Sequence, residues 1–172
     1  EAGNPPPLTL TAGEWRSSSD VFPMEYADVL ERHRVLYGTP PFDGISVDRR
    51  NLRLQLEHEA MGKLLQLRQG VLAAGGDRKR LIELLAGSLS TFMVIFRAAL
   101  RYHGESPPTD YERLVSAVAA RTGMDDAPFV RVVRHLRGSD KLPEREVQQV
   151  LAGYLAGAHA LVDYLDRLEE SI

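Results

Sequence analysis

Apolar residues recur at intervals of three and four between Asp48 and Gly75, and this spacing predicts a long α-helix. Asp48 can cap the start of that helix, and Gly75 can end it because glycine adopts the left-handed conformation without a Cβ clash. The apolar residues fall on two sides of the helix, which predicts two buried faces. One side carries Leu52, Leu56, Ala60, Leu64, Leu67 and Val71, and the other carries Leu54, Met61, Leu65 and Leu72.

Four more helices are predicted after the first one. Asp77 caps a second long helix, a capping box at Thr109 opens the third, and Asp126 opens a short fourth. Pro143 opens the last helix, because proline is favoured at the first helical position. Residues 46–172 are therefore predicted to form an antiparallel bundle of about five helices, and the fold class is mainly α. The last helix carries an a/d seam for packing along a neighbouring helix, formed by Val147, Leu151, Tyr154, Ala158, Leu161, Leu165 and Leu168.

The N-terminal segment has a different pattern. Three consecutive prolines favour an extended backbone, so residues 1–20 are predicted to form a linker or surface arm. The run Phe22-Pro23-Met24-Glu25-Tyr26 spaces its large apolar residues by two, as in a half-buried strand. Residues 21–45 are therefore predicted to be an extended, strand-containing appendage, in which His33 to Gly38 is either a second strand or a helical turn. Because the chain starts with Glu1 and not with Met, we expect it to be a processed product, an engineered product or a piece of a longer protein.

Composition narrows the classes of function. The 172 residues include no cysteine, which excludes disulfides, thiolate nucleophiles and cysteine-ligated zinc. With 21 Lys+Arg against 24 Asp+Glu, the net charge of −3 argues against nucleic-acid binding by bulk electrostatics. No apolar run approaches the roughly 18 residues that span a bilayer, so no membrane partner is expected and the cytoplasm is the default location.

Motifs for metal or covalent catalysis are missing from the sequence. The five histidines include no pair at i, i+4 and no His-Glu-x-x-His string, so no metal site is predicted. The sequence Gly75-Gly76 follows a predicted helix and not a strand, which does not suit a phosphate-binding loop. No Gly-x-Ser-x-Gly string is present either, and serine hydrolase chemistry is not supported.

Two groups of polar residues on the predicted helices are candidates for a site. On the first helix, four charged residues lie between the two apolar faces, where they form either a solvated stripe or a substrate-binding groove: Arg53, Glu57, Lys63 and Arg68. On the second helix, Arg97 and His103 could hold a phosphate and shuttle a proton, respectively. Their separation of six positions places them about 120° apart on a helix, however, so the alternative is an Arg97 that faces solvent or a carboxylate.

Two short motifs carry a resemblance to a known family. Residues 22–29 and the string His33-Arg34-Val35-Leu36-Tyr37-Gly38 resemble the end of a polymerase-beta-like nucleotidyltransferase domain, where a last strand leads into an exit of the "RVLYG" type. Residues 96–108 are similar to a helix and loop of HEPN-like and kanamycin-nucleotidyltransferase-like C-terminal domains. The resemblance covers roughly residues 20–168, and it implies a helical bundle that follows a catalytic domain.

The resemblance also implies a catalytic arrangement. In this family, Mg²⁺ and nucleotide phosphates are held by paired aspartates in a Gly-Ser-x-(x)-Asp-x-Asp motif, which is absent here. The nearest string, Gly138-Ser139-Asp140, lacks the second aspartate. The third metal-binding carboxylate of the family corresponds to Glu25 or Asp28. The alternative is that Glu25 is an exposed strand residue and that Asp28 caps a turn. We therefore expect no cofactor in this chain, with Mg²⁺ and nucleotide implied only by the resemblance.

Two functions are expected from these observations. The first is the helical substrate-binding or dimerisation part of a prokaryotic nucleotidyltransferase-like protein, which is not catalytic as this chain alone. Its partners would be an upstream nucleotidyltransferase domain, a second copy, and a nucleotide or small-molecule acceptor. The alternative is a freestanding HEPN-like module that binds RNA, or cleaves it, because Arg97 and His103 match the HEPN signature Arg-x(4-6)-His.

Overall fold

The described residues, 9–168, are mainly helical in the computed structural model, and no strand occurs among them. In chain order the helices are α1 (Ala12–Ser17), α2 (Pro23–Glu31), α3 (Arg49–Ala74), α4 (Arg78–Tyr102), α5 (Tyr111–Thr122), α6 (Ala127–Leu136) and α7 (Val147–Arg167). Helix α4 is central, because it packs against α2, α3, α5, α6 and α7. The predicted bundle and the mainly α fold class are confirmed.

The predicted strand in residues 21–45 is wrong, because the run from Pro23 onward forms helix α2. Pro23 occupies the start of the helix. Proline is favoured there because the first N–H groups of a helix make no intrahelical hydrogen bond and because its fixed φ is helical. Met24 and Tyr26 are both buried, and Met24 belongs to the core shared with α3 and α4. The following segment, His33 to Gly38, is neither strand nor helix.

The predicted extended arm is also wrong over residues 12–17, which form α1. Thr11 and Glu14 make a capping box there: the Glu14 N–H donates to Thr11 Oγ1 at 3.2 Å and the Thr11 N–H donates to Glu14 Oε2 at 2.7 Å. This reciprocal pairing stabilises the first turn of a short helix. The three prolines fall in residues 1–8, outside the described residues.

Helix boundaries follow the capping signals in most places. Asp48 Oδ1 accepts from the Asn51 N–H at 3.0 Å, and Gly75 ends α3 with φ 58°. Two boundaries are corrected. The side chain that caps α5 belongs to Asp110 and not to Thr109. Helix α7 begins at Val147, since Pro143 lies in a preceding turn.

The centre of the bundle is an aromatic cluster from three helices, which we call the aromatic core: Phe92, Phe96, Phe129 and Tyr154. Phe129 stacks on Tyr154 with ring centroids 4.0 Å apart. The hydroxyl of Tyr154 is within 3.0 Å of Ser88 Oγ, and burial raises the pKa of that tyrosine. Most of the predicted a/d seam of α7 is buried in this bundle, so it packs against the chain's own helices.

The second apolar face predicted for α3 is not buried. Its side chains are exposed by between 38% and 82%, and we call them the α3 stripe: Leu54, Met61, Leu65 and Leu72. The first predicted face does pack into the core. A single helix of a small bundle has only one side turned to its neighbours, so the apolar residues on its far side stay outside.

One helix of the described chain, α4, is long and apolar enough to cross a membrane by length and composition. Half of its most apolar window is buried among the other helices, as expected for a core helix.

Candidate functional site

A cavity of about 500 Å³ opens between α2, the start of α3 and the end of α4, and we call it the His103 pocket. Its apolar wall is formed by Ala27, Leu30, Val47 and Leu52, and its polar side by Arg49, Arg101, Tyr102, His103 and Gly104. Cavities of several hundred Å³ that combine apolar walls with a few polar groups are typical of small-molecule sites.

Arg101 holds α2 against the end of α4. Its Nε donates to Glu31 Oε2 at 2.5 Å and a terminal nitrogen donates to Asp28 Oδ1 at 2.6 Å. The arginine side chain is only 10% exposed, whereas the Asp28 side chain is 59% exposed. The charge of Arg101 is therefore balanced within the chain, and its contacts anchor α2 to the end of α4.

Arg49 lies at the first turn of α3, with its guanidinium carbon 4.4 Å from the centroid of the Tyr102 ring. This cation–π contact orients the guanidinium without neutralising its charge. Among the described residues Arg49 forms no salt bridge, and the arginine is exposed. It therefore adds to the edge of the His103 pocket a cation that no carboxylate of the described residues pairs with.

His103 follows the last turn of α4 and pairs with a tyrosine from α7. Its Nε2 lies 2.6 Å from the hydroxyl oxygen of Tyr164. Burial lowers the pKa of His103, and the charges of Arg121 and Arg49 lower it further, against an opposing effect of Glu105. The imidazole is consequently neutral near pH 7, and the Tyr164 hydroxyl can donate to Nε2.

This depressed pKa predicts a pH-dependent stability. The unfolded imidazole titrates near 6.5 and the folded one lower, so below about pH 6.5 the unfolded chain binds more protons. We expect the contribution of His103 to the free energy of unfolding to be complete above that pH and to fall as the pH drops toward the folded pKa.

Urea unfolding at about pH 7.5 and 5.5 tests this, with wild type compared with His103→Gln. Glutamine can still hydrogen-bond Tyr164 but does not titrate. The wild type should lose more stability between the two pH values than the variant does. Equal losses of stability in the two proteins would contradict a lowered pKa of His103.

The predicted site residues are divided between two cavities. Glu25, Asp28 and Arg97 line a separate groove of about 340 Å³ between α2 and α4, whereas His103 lines the His103 pocket. The Arg97 guanidinium carbon lies 5.5 Å from the centroid of the Tyr111 ring. Arg97 and His103 therefore do not share a cavity in this chain.

The four charged residues predicted on α3 do not converge on one groove. Arg53 is buried and donates to Glu57 Oε2 at 2.9 Å, which is an i, i+4 ion pair. The Lys63 ammonium lies 3.5 Å from Gln66 Oε1, and Arg68 is exposed farther along the helix. With Arg53 buried, Glu57 and Lys63 partly exposed and Arg68 exposed, neither the solvated stripe nor the binding groove describes the whole set.

The carboxylates that the resemblance assigned to metal binding do not fit a Mg²⁺ site. Asp28 is bound to Arg101, and Glu25 Oε2 accepts from Gln55 Nε2 at 3.1 Å. Within residues 9–168 no group of three or more His, Asp or Glu side chains could hold a metal ion. Two exposed carboxylates that already bind donors, without a third, lack the ligand set that Mg²⁺ takes.

The sequence interpretation missed most of the His103 pocket. Arg49, Tyr102 and Arg101 were not singled out, although all three stand at ends of predicted helices, where side chains from different elements meet. Tyr164 has no local signal at all, because its position opposite His103 depends on how α7 packs beside α4.

Comparison with protein-family models, curated proteins and solved structures found no match to the chain.

Proposed function

We propose that this chain is a helical ligand-binding module, and that the His103 pocket takes a small molecule with an anionic group and an apolar or aromatic body. The resemblance of residues 96–108 to nucleotidyltransferase-type chains extends the proposal, whereas that of residues 22–38 rested on a strand that is helix α2 here. In that reading the module is the substrate-binding part of a nucleotidyltransferase-like protein, and its ligand is a nucleotide or a phosphorylated acceptor.

The observation that carries the proposal is the charge of Arg49 at the edge of a pocket with apolar walls. Arg101 is already bound by Asp28 and Glu31, so the arginine left without a carboxylate partner in residues 9–168 to meet a ligand is Arg49. An arginine can bind a phosphate or carboxylate through two parallel N–H donors. The anionic group of the ligand would bind there, while its body lies along Leu30 and Leu52.

His103 and Tyr164 would contribute hydrogen bonds and not charge. A neutral imidazole that accepts from Tyr164 at Nε2 carries its proton on Nδ1, so it can donate once to a ligand. The pair would recognise a ligand carbonyl or hydroxyl next to the anionic group. No reaction step is assigned to either residue.

Calorimetric titration with AMP and with adenosine tests the proposal. The two ligands share the nucleoside and differ in the phosphate. We expect AMP to bind and adenosine to bind more weakly by about tenfold or more, because adenosine lacks the charge-assisted pairing with Arg49. Arg49→Gln should weaken AMP binding by a similar factor.

Arg50→Gln is the matched control, because Arg50 is the next residue of the same helix turn, is exposed and does not line the pocket. It removes the same charge from the same end of α3, so it should leave AMP affinity nearly unchanged. Equal effects of the two substitutions would indicate a general electrostatic attraction. Absence of AMP and phosphate binding at millimolar concentration would refute an anion site.

The HEPN-like alternative stays a prediction. Its two signature residues line different cavities of the chain, which does not favour one phosphodiester bound by both. If the chain binds RNA, the affinity should fall steeply with salt concentration. Loss of that binding in Arg97→Gln, with AMP affinity retained, would favour this alternative.

A further inference from the structure

The α3 stripe is an exposed apolar surface that the ligand pocket does not use. Leu72 is 82% exposed, Leu54 and Leu65 are each 48% exposed, and Met61 is 38% exposed. All of these side chains lie on the face of α3 that points away from the core. Contiguous exposed apolar side chains on a helix are typical of surfaces that contact another protein.

The spacing of the stripe is that of a helix-pairing seam. With His58 and Arg68 included, the positions alternate gaps of four and three along the sequence, as the a and d positions of a coiled coil do. The stripe is also symmetric about the level of Lys63. Leu54 and Leu72 lie nine residues from that level, and Met61 and Leu65 lie two residues from it.

Acidic and basic groups of this face lie on opposite sides of the Lys63 level. Three stripe residues, Leu54, Met61 and Leu65, line a groove of about 410 Å³. The lining also includes Glu57, Asp166 and His58. Glu57 is already paired with Arg53, but its side chain is still 36% exposed. The exposed Arg68 lies on the other side of the Lys63 level, five residues from it. Glu57 lies six residues from that level.

We propose that the α3 stripe pairs with the stripe of a second copy of this chain, with the two α3 helices antiparallel about a two-fold axis level with Lys63. In this register Leu54 lies opposite Leu72 of the second copy, and Met61 lies opposite Leu65. Arg68 of each copy reaches the acidic groove of the other. A parallel pairing would instead place Arg68 against Arg68, so charge favours the antiparallel arrangement.

The expected strength follows from the size of the surface. Nineteen residues of helix, from Leu54 to Leu72, extend about 27 Å and present a face roughly 10 Å wide. An area on the order of 300 Å² per copy is below the roughly 800 Å² of a standard stable interface. We therefore expect a weak, concentration-dependent dimer. The inference does not rest on ligand binding at the His103 pocket.

Sedimentation of the full chain over a concentration series tests the self-association. A monomer–dimer equilibrium with a dissociation constant in the micromolar to millimolar range is expected. Leu65→Glu should weaken it by about tenfold or more, since it places a charge in the central apolar layer. Leu136→Glu is the matched control, because Leu136 is a similarly exposed leucine on α6 and should leave the equilibrium unchanged.

A charge exchange tests the predicted contact without relying on an apolar-to-charged change. Arg68→Glu should weaken the dimer by repulsion from the acidic groove, and adding Asp166→Arg should restore part of the affinity. A chain that stays monomeric at all concentrations overturns the proposal, as does a dimer that Leu65→Glu leaves intact.

Cross-linking tests the antiparallel register, since the chain has no cysteine of its own. A mixture of Leu54→Cys and Leu72→Cys chains should form a disulfide-linked heterodimer under mild oxidation. Leu54→Cys alone should cross-link poorly, because its two copies would lie about 27 Å apart. Efficient cross-linking of Leu54→Cys with itself would overturn the antiparallel register.

Discussion

Phe129→Ala should lower the free energy of unfolding by about 3–5 kcal/mol, the usual cost of truncating a fully buried aromatic side chain. Phe129 is 0% exposed and contacts three other rings. Its centroid lies 4.0 Å from that of Tyr154, 5.2 Å from that of Phe96 and 5.4 Å from that of Phe92. Because these rings come from α4 and α7, the cavity left by alanine cannot collapse without moving two helices.

Urea unfolding followed by far-ultraviolet circular dichroism measures this change. The control is Leu136→Ala on the same helix, where the leucine is 53% exposed and the loss should be below about 1 kcal/mol. If Phe129→Ala cost no more than the control, the aromatic core would not be packed as described.

Gly157→Val should destabilise the bundle by about 1–3 kcal/mol through overpacking of the same contact. A Cβ at this position would lie 2.8 Å from Cε2 of Phe129, which is closer than packed carbon atoms approach. Phe129 cannot easily move away, since it is stacked on Tyr154. The loss should exceed the small gain in helix propensity that valine has over glycine.

Gly87→Val is the control that separates the packing effect of a glycine-to-valine substitution from its effect on helix propensity. Gly87 is an exposed helical glycine of α4, and a Cβ there would meet no atom within 4 Å. The same substitution should therefore be neutral or slightly stabilising at this position. Combining Phe129→Ala with Gly157→Val should cost less than the two single losses together, because valine fills part of the space that the ring vacates. Strict additivity would contradict direct contact.

The sequence predicted the bundle better than the segment before it. The helices α3 to α6 were recognisable because their apolar residues repeat at helical spacing and their ends carry caps such as Asp48 and Asp77. The alternation in the run from Phe22 to Tyr26 was misleading. Five residues cannot distinguish a strand from a helix whose first residue is proline. The helix is stabilised by the burial of Met24 in the core with α3 and α4 and by the stacking of Tyr26 on Trp15.

Which apolar face is buried depends on neighbours and not on the pattern itself. The a/d seam of α7 and the α3 stripe are both apolar and regularly spaced. Most of the seam is nevertheless buried in the core, whereas the α3 stripe is exposed. Likewise, Arg97 and His103 are only six positions apart but line different cavities. The polar side of the His103 pocket combines α3 and α4, with Tyr164 of α7 behind it, and such long-range juxtapositions leave no signal in one sequence.

The position of Arg101 between the two cavities links them thermodynamically. It lines both the His103 pocket and the groove beside Glu25, and its donors are held by Asp28 and Glu31. An anion that takes either of these two donors of Arg101 must displace a carboxylate, so part of its binding free energy is spent in loosening α2. By reciprocity, any interaction that holds α2 more tightly lowers the affinity for that anion by the same factor. The two carboxylates of α2 therefore compete with any anion for these two donors of Arg101.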